Sequence, residues 1–188
     1  MVSIAADIFS RFIITIMLAQ MVASSAEEEA MSKARTTVFD AKSVPETNAT
    51  SYPEPFRAAN QNRFNRRLGN HAGLENYGVN MTRIIPGGQS SSRHAHSRQD
   101  EFVMVLEGEV VLETDAGAQT LGPGMCAGFP AGSGDAHRFL NTSSRDVVLL
   151  VVGDRTAGDE VIYPDIDMHG KLGPDGRYRF TRKDGTPY

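Results

Sequence analysis

The chain has one cysteine, Cys126, so it can form no intramolecular disulfide and can hold no cysteine-rich zinc module. With Met125 and Ala127 beside it, Cys126 reads as a small buried apolar residue. Charge of one sign is also scarce. Nineteen Lys and Arg stand against 23 Asp and Glu, a net charge of −4, with no long basic stripe. That balance gives no footing for nucleic acid, and no helix-turn-helix pattern appears. The longest apolar stretch, Phe12 to Val22, is broken by Thr15 and Gln20 and falls short of the about 20 residues that span a bilayer. No β-prone run is followed by a long periodic helical segment, which argues against a parallel α/β sheet. No repeat at a solenoid period is present.

What is present is a chain of 188 residues, 40% hydrophobic and 22% charged, the composition of one globular domain with length left for terminal arms. Residues 1–30 stand apart. Arg11, the apolar run, and the small residues Ser24 and Ala26 resemble an export signal, whereas Asp7 and Gln20 are out of character for one. The alternative is that Met31 is the true start, because composition changes there after Glu27-Glu28-Glu29. The expectation is a cytoplasmic protein, with export as the alternative if residues 1–26 are a signal.

Residues 31–76 read as an N-terminal arm. A β-prone run at Thr36–Phe39 precedes a tract with Pro45, Pro53 and Pro55, then a polar, basic segment anchored by Phe64 and Leu68. Within it Arg63, Arg66 and Arg67 read as a solvated face or an anion contact. Residues 77–152 carry short β-rich segments at even spacing: Tyr77–Ile85, Ser92–His96, Glu101–Leu106, Glu109–Thr114, Ala118–Leu121, Cys126–Phe129, His137–Asn141 and Val147–Val152. Tight turns between them predict an all-β antiparallel barrel or sandwich. In Glu101–Leu106 the residues Glu101, Val103 and Val105 share one face, and Phe102, Met104 and Leu106 share the other. Both faces are apolar enough to need cover, so the outer one calls for the N-terminal arm or a second subunit, and a homodimer is expected. Residues 153–188 read as an extended C-terminal arm pinned by Tyr178, Phe180 and Tyr188.

Ligand chemistry concentrates between Gly88 and Gly108. His94 and His96, two of five histidines, are separated by one residue, so in an extended strand they project from the same side. Glu101 follows five positions later. Two imidazoles and a carboxylate make the start of a metal site, and His137, opening a later strand, is the candidate for a third imidazole. His71 and His169 lie apart from this pattern and read as surface residues.

These residues carry a family resemblance. The pattern G-x5-H-x-H-x4-E-x6-G is met by Gly88, His94, His96, Glu101 and Gly108, and the chain resembles the cupin superfamily. The second cupin pattern, G-x5-P-x-G-x2-H-x3-N, is met by Gly124, Pro130, Gly132, His137 and Asn141, except that four residues separate Gly132 from His137. The turn before His137 is therefore longer by two. The resemblance covers roughly Tyr77 to Val152. The flanking segments, including Tyr163-Pro-Asp-Ile-Asp and the Asp-Gly-Thr-Pro-Tyr ending, look like those of small bacterial single-domain cupins described as sugar-phosphate-isomerase-like.

The resemblance implies a jelly-roll-like barrel, or double-stranded β-helix, with His94, His96, Glu101 and His137 converging on one divalent metal in its lumen. Such a donor set suits Fe, Mn, Ni, Co, Cu or Zn and leaves positions for a bidentate substrate, or for substrate with dioxygen or water. The implied activity is an isomerase- or oxygenase-type reaction on a small sugar or organic acid. The alternative is a non-catalytic protein that binds or senses such a molecule through the metal. Arg83, Arg93 and Arg138 are candidates for holding an anionic substrate, although Arg93 and Arg138 neighbour His94 and His137 and should point away from them. Asn141 shares parity with His137 and is expected to face inward.

Overall fold

The computed structural model describes residues 38–188, so the segment from Phe12 to Val22 and the start at Met31 lie outside the described residues. Two layers of antiparallel sheet enclose an apolar core. The first layer has six strands: β1 (Glu46–Thr47), β2 (Arg63–Arg66), β3 (Tyr77–Ile84), β10 (Val147–Asp154), β5 (Glu101–Glu107) and β8 (Cys126–Phe129), in that spatial order. Across from it, β6 (Val110–Thr114) pairs with β7 (Gly117–Leu121) and with β9 (Arg138–Leu140). A further sheet places β13 (Tyr178–Thr181), β12 (Met168–Leu172), β11 (Glu160–Tyr163) and β4 (Ala95–His96) side by side. The only α-helix among the described residues is α1 (Leu68–His71), one turn long.

The expected strands of 77–152 are present with small changes of boundary. Those on either side of them are additions. The polar arm contributes β1 and β2 to one side of the six-stranded sheet, where Arg63 of β2 pairs with Ile84 and Asn65 with Thr82. The C-terminal segment is a meander of three strands, β11 to β13. Its rings are pinned as expected, because Tyr178, Phe180 and Tyr188 pack against buried Tyr52, Val161, Tyr163 and Met168.

Strand parity sorts the six-stranded sheet. On the inner face lie Ile84, Val103, Val105, Val147 and Leu149, all buried, and they meet Val110, Leu112, Leu121, Phe129 and Phe139 in one core. The register continues that face through Asn80, Val151, Gly153 and Glu101, so it turns from apolar to polar toward one end. On the outer face the register aligns Met81, Leu150 and Met104 in one row and Val79, Val152 and Phe102 in the next. Phe102 is 42% exposed and Leu106 38%. The N-terminal arm therefore does not cover this face among the described residues. Cys126 pairs with Met104 on the same side and is exposed, not buried. Apolar sequence neighbours misled here, because the strand alternates and only Ala127 and Phe129 turn inward.

Two motif glycines answer steric demands. Gly88 has no unusual dihedral, but a Cβ there would lie 2.8 Å from Asn62 O and 2.9 Å from Ile84 Cγ2. Gly108 has φ +80°, and a Cβ would come within 2.8 Å of Asp146 O. It does not close a hairpin. β5 and β6 belong to different sheets, and Gly108 turns the chain from one layer to the other. Asn141 is buried, but it serves the backbone rather than the site: its Nδ2 donates to Ile84 O (2.8 Å) and Arg145 O (2.7 Å), and its Oδ1 accepts from Ser143.

Candidate metal centre

The backbone brings His94 and His137 together. Each donates its N–H to the other's carbonyl, at 3.0 and 2.8 Å, the hydrogen-bonded pair of an antiparallel ladder. Two residues on, His96 pairs with Val161 of β11. The parity expectation holds: the rings of His94 and His96 lie 5.0 Å apart, and those of His94 and His137 4.8 Å apart. Glu101 opens β5 in the facing sheet. One ligand atom each from His94, His96 and Glu101 lie within 4.8 Å of one another. His137 stands outside that trio but against it, with Nε2 3.1 Å from Glu101 Oε2.

Hydrogen bonds decide which imidazole nitrogen is available. His94 Nδ1 lies 3.1 Å from the Ser92 carbonyl, which can only accept, so the proton sits on Nδ1 and the Nε2 lone pair faces Glu101, 3.8 Å away. His96 Nδ1 lies 2.6 Å from Asp159 Oδ2, another pure acceptor, with the same result. His137 is held differently. Phe129 stacks on its ring with centroids 3.5 Å apart, and its Nδ1 is buried without a hydrogen-bond partner. Three imidazoles and a carboxylate, two of the rings with the proton on Nδ1 and the Nε2 lone pair left to bind, fit a divalent first-row ion.

Asp159 is the functional residue the sequence reading missed. It is fully buried. Its Oδ2 also accepts from Tyr178 OH (2.7 Å), and its Oδ1 from Arg98 N (2.8 Å) and Ser97 Oγ (3.2 Å). Asp159 sits 63 positions from His96 in a loop before β11, and no spacing rule links them. Upstream, the Ser92 hydroxyl accepts from buried Asn60, which also receives a bond from Gln89 at 3.1 Å, so the arm braces the loop leading to His94.

The charges follow. Burial would raise the Glu101 pKa, but the hydrogen bond from His137 and the neighbouring imidazoles outweigh it and hold the carboxyl down at about 2. Burial pushes His94 down to about 3, which keeps it neutral. Burial opposes a charge on His96 too, yet the bond to Asp159 prevails and raises it. Asp159, despite burial, is held at about 2 by His96 and Tyr178.

The trio opens on a cavity of about 650 Å³, lined on the far side by Arg63, Asn65, Asn80 and Thr82. The anion-contact candidates Arg83, Arg93 and Arg138 do not line it. Arg83 holds Glu46 and Asp146, Arg93 holds Asp165 and Asp115, and Arg138 holds Glu113. All three are structural. His169 lies beside Glu160, 3.4 Å away, and His71 against the Phe39 ring, as befits residues outside the site.

The cupin-domain family profile matches residues 80–153. A sugar phosphate isomerase of the cupin superfamily from Silicibacter pomeroyi DSS-3 is 44% identical and superposes with a TM-score of 0.77, over 80% of this chain and 96% of that one. The chain belongs to the cupin superfamily. A second structure, provisionally named a sugar phosphate isomerase, from Acidithiobacillus ferrooxidans ATCC 23270 is 29% identical with a TM-score of 0.60, over 67% of this chain and 80% of that one. The polyketide cyclase RemF from Streptomyces resistomycificus, at 21% identity and TM-score 0.53 over 63% and 79%, shares the fold. No curated protein matches the sequence. In this cupin no helix among the described residues is long and apolar enough to cross a membrane.

Proposed function

We propose that this cupin holds one divalent metal ion on His94, His96, Glu101 and His137 and uses it to act on a small sugar or organic acid, in an isomerase- or oxygenase-type reaction. In this reading residues 77–152 form the barrel, flanked by arms at residues 31–76 and 153–188, of which the described residues 38–76 and 153–188 add strands to its sheets. The observation that carries it is that His94 and His96 each have Nδ1 spent on an acceptor, which leaves Nε2 to bind an ion, while one ligand atom each from His94, His96 and Glu101 lie within 4.8 Å of one another. The name of the Silicibacter pomeroyi relative supports a sugar phosphate as the substrate class. When bound, such an ion supplies Lewis acidity or one-electron chemistry. The chain supplies the rest. Asn65, Asn80 and Thr82 offer hydrogen bonds to hydroxyl groups in the cavity. Asp100 and Asp154 also line it, each accepting from backbone N–H groups.

Elemental analysis of untagged protein tests this reading. One equivalent of metal per chain is expected, iron favouring oxygen chemistry and zinc or manganese favouring isomerisation. Metal-free protein that takes up none of these ions refutes it. Metal binding without turnover of sugar phosphates or organic acids would leave the binding or sensing role. We place the protein in the cytoplasm; a native chain beginning near Glu27 would instead mark it as exported.

The outer sheet face, with Phe102, Met104, Leu106 and Leu150, is proposed as the contact of a homodimer, since it is continuous and apolar. Sedimentation at micromolar concentration should show a dimer, and Phe102→Glu should give a monomer with its metal retained. A monomeric wild type removes this contact.

A further inference from the structure

Arg63 is half-buried in the cavity lining, and among the described residues it has no carboxylate of its own. It stands on β2 opposite Ile84, on the inner face, where every other neighbour in the register is apolar or uncharged. Its Nη1 donates to the Ser90 carbonyl, its Nε is shut off from solvent with no partner, and its Nη2 makes no hydrogen bond among the described residues. Among the described residues no ion pair includes it, whereas Arg66, Arg83, Arg93 and Arg138 each reach a carboxylate. Burial pushes its pKa down, and the Tyr52, Glu101 and Tyr163 groups push it back up.

A guanidinium withdrawn from water and left without an anion is costly, and a chain tolerates it where something else supplies the charge. Glu101 cannot serve both sides, because it already faces three imidazoles. With a divalent ion in place, the Glu101 and Asp159 carboxylates and the Arg63 guanidinium leave the interior with one net positive charge. That is a surplus for a ligand to neutralise. Arg63 and the two histidines line the same cavity.

We infer that Arg63 is the anion contact of this cavity. It receives a carboxylate or phosphoryl oxygen of the substrate while the other oxygens face His94, His96 and Glu101, which selects small acids or phosphorylated sugars over neutral sugars. The substrate's far end rests on the metal reading above; the affinity of Arg63 for an anion does not.

The test is calorimetric titration of the full chain, metal-stripped and manganese-loaded, with glycolate, ethylene glycol and inorganic phosphate. Glycolate and ethylene glycol have similar size and differ in charge. Wild type should bind glycolate or phosphate about tenfold or more tightly than ethylene glycol in both states, and Arg63→Gln should lose about tenfold or more of that affinity. Arg63→Lys should restore part of it, Arg67→Gln at the rim should change it less than about twofold, and the metal content of each variant should match wild type. The tighter of glycolate and phosphate names the anion. Arg63→Gln binding both anions as wild type does would overturn the proposal. If that variant does not fold, wild type decides alone, and equal affinity for glycolate and ethylene glycol in the stripped state overturns it. Metal content is read separately. Charge-selective binding by a chain that never takes up metal sinks the metal centre only, while a metal-loaded chain blind to charge sinks the Arg63 contact only.

Discussion

Replacing His94 and His96 together with alanine is expected to leave a folded protein that retains no divalent metal. The two rings supply two of the four donors in the proposed centre. Glu101 and His137 alone form a bidentate site, and the loss should exceed the about hundredfold seen when only a supporting partner of a ligand is removed. The fold should survive because neither imidazole holds the architecture together. The pairing of His94 with His137 runs through main-chain atoms that alanine keeps, as does the pairing of Ala95 and His96 with β11. What alanine leaves behind at Asp159 is an acceptor with three remaining donors, from Tyr178, Arg98 and Ser97. Elemental analysis together with thermal unfolding followed by circular dichroism checks both halves. A variant with full metal occupancy would sink the site, and a variant that fails to fold would show that the rings are structural.

The parts of this fold that could be read in advance share one property: local alternation with a turn at each end. Tyr77–Ile84, Glu101–Glu107 and Val147–Asp154 are long enough for the pattern to declare itself, and they are the middle of the six-stranded sheet. β2 and β11–β13 are four or five residues long, and their burial depends on partners far along the chain. Such strands are made by tertiary pairing rather than by propensity. The same distinction runs through the site. His94, His96 and Glu101 lie within eight residues and carry their geometry in their spacing. His137 required a family pattern, because its partnership with His94 is a cross-strand bond between distant segments. Asp159 has no local signal at all. Arg63 did have one. Grouped with Arg66 and Arg67 it reads as a solvated face or an anion contact, and on a strand Arg63 and Asn65 point opposite to Phe64 and Arg66, so parity separates Arg63 from Arg66 and favours the anion contact for it. The longer turn before His137 proved harmless, since the His94–His137 pair sets the register whatever the length of the loop ahead of it.

Asp159→Asn should weaken metal binding by about 10- to 100-fold with little change in shape, because the substitution attacks tautomer and orientation rather than volume. Both carboxylate oxygens of Asp159 act only as acceptors: Oδ2 for His96 Nδ1–H and Tyr178 O–H, Oδ1 for Arg98 N–H and Ser97 O–H. An amide has one acceptor end. If its NH2 takes the Oδ1 position it meets the Arg98 N–H donor to donor, and a buried backbone group loses its partner. If it takes the Oδ2 position it meets His96 Nδ1, and the ring must move its proton to Nε2 in order to accept. That tautomer has no lone pair facing Glu101. The first arrangement costs stability, of order 1–3 kcal/mol for an unpaired buried group, and the second costs the ligand. Chelator competition reports metal affinity and urea unfolding of the metal-free protein reports stability, so the two losses can be separated. Tyr178→Phe is the control, since it removes one donor to Asp159 and leaves the bond to His96 intact; its metal affinity should fall much less. A variant at Asp159 that binds metal as tightly as wild type would show that His96 is oriented by its strand alone.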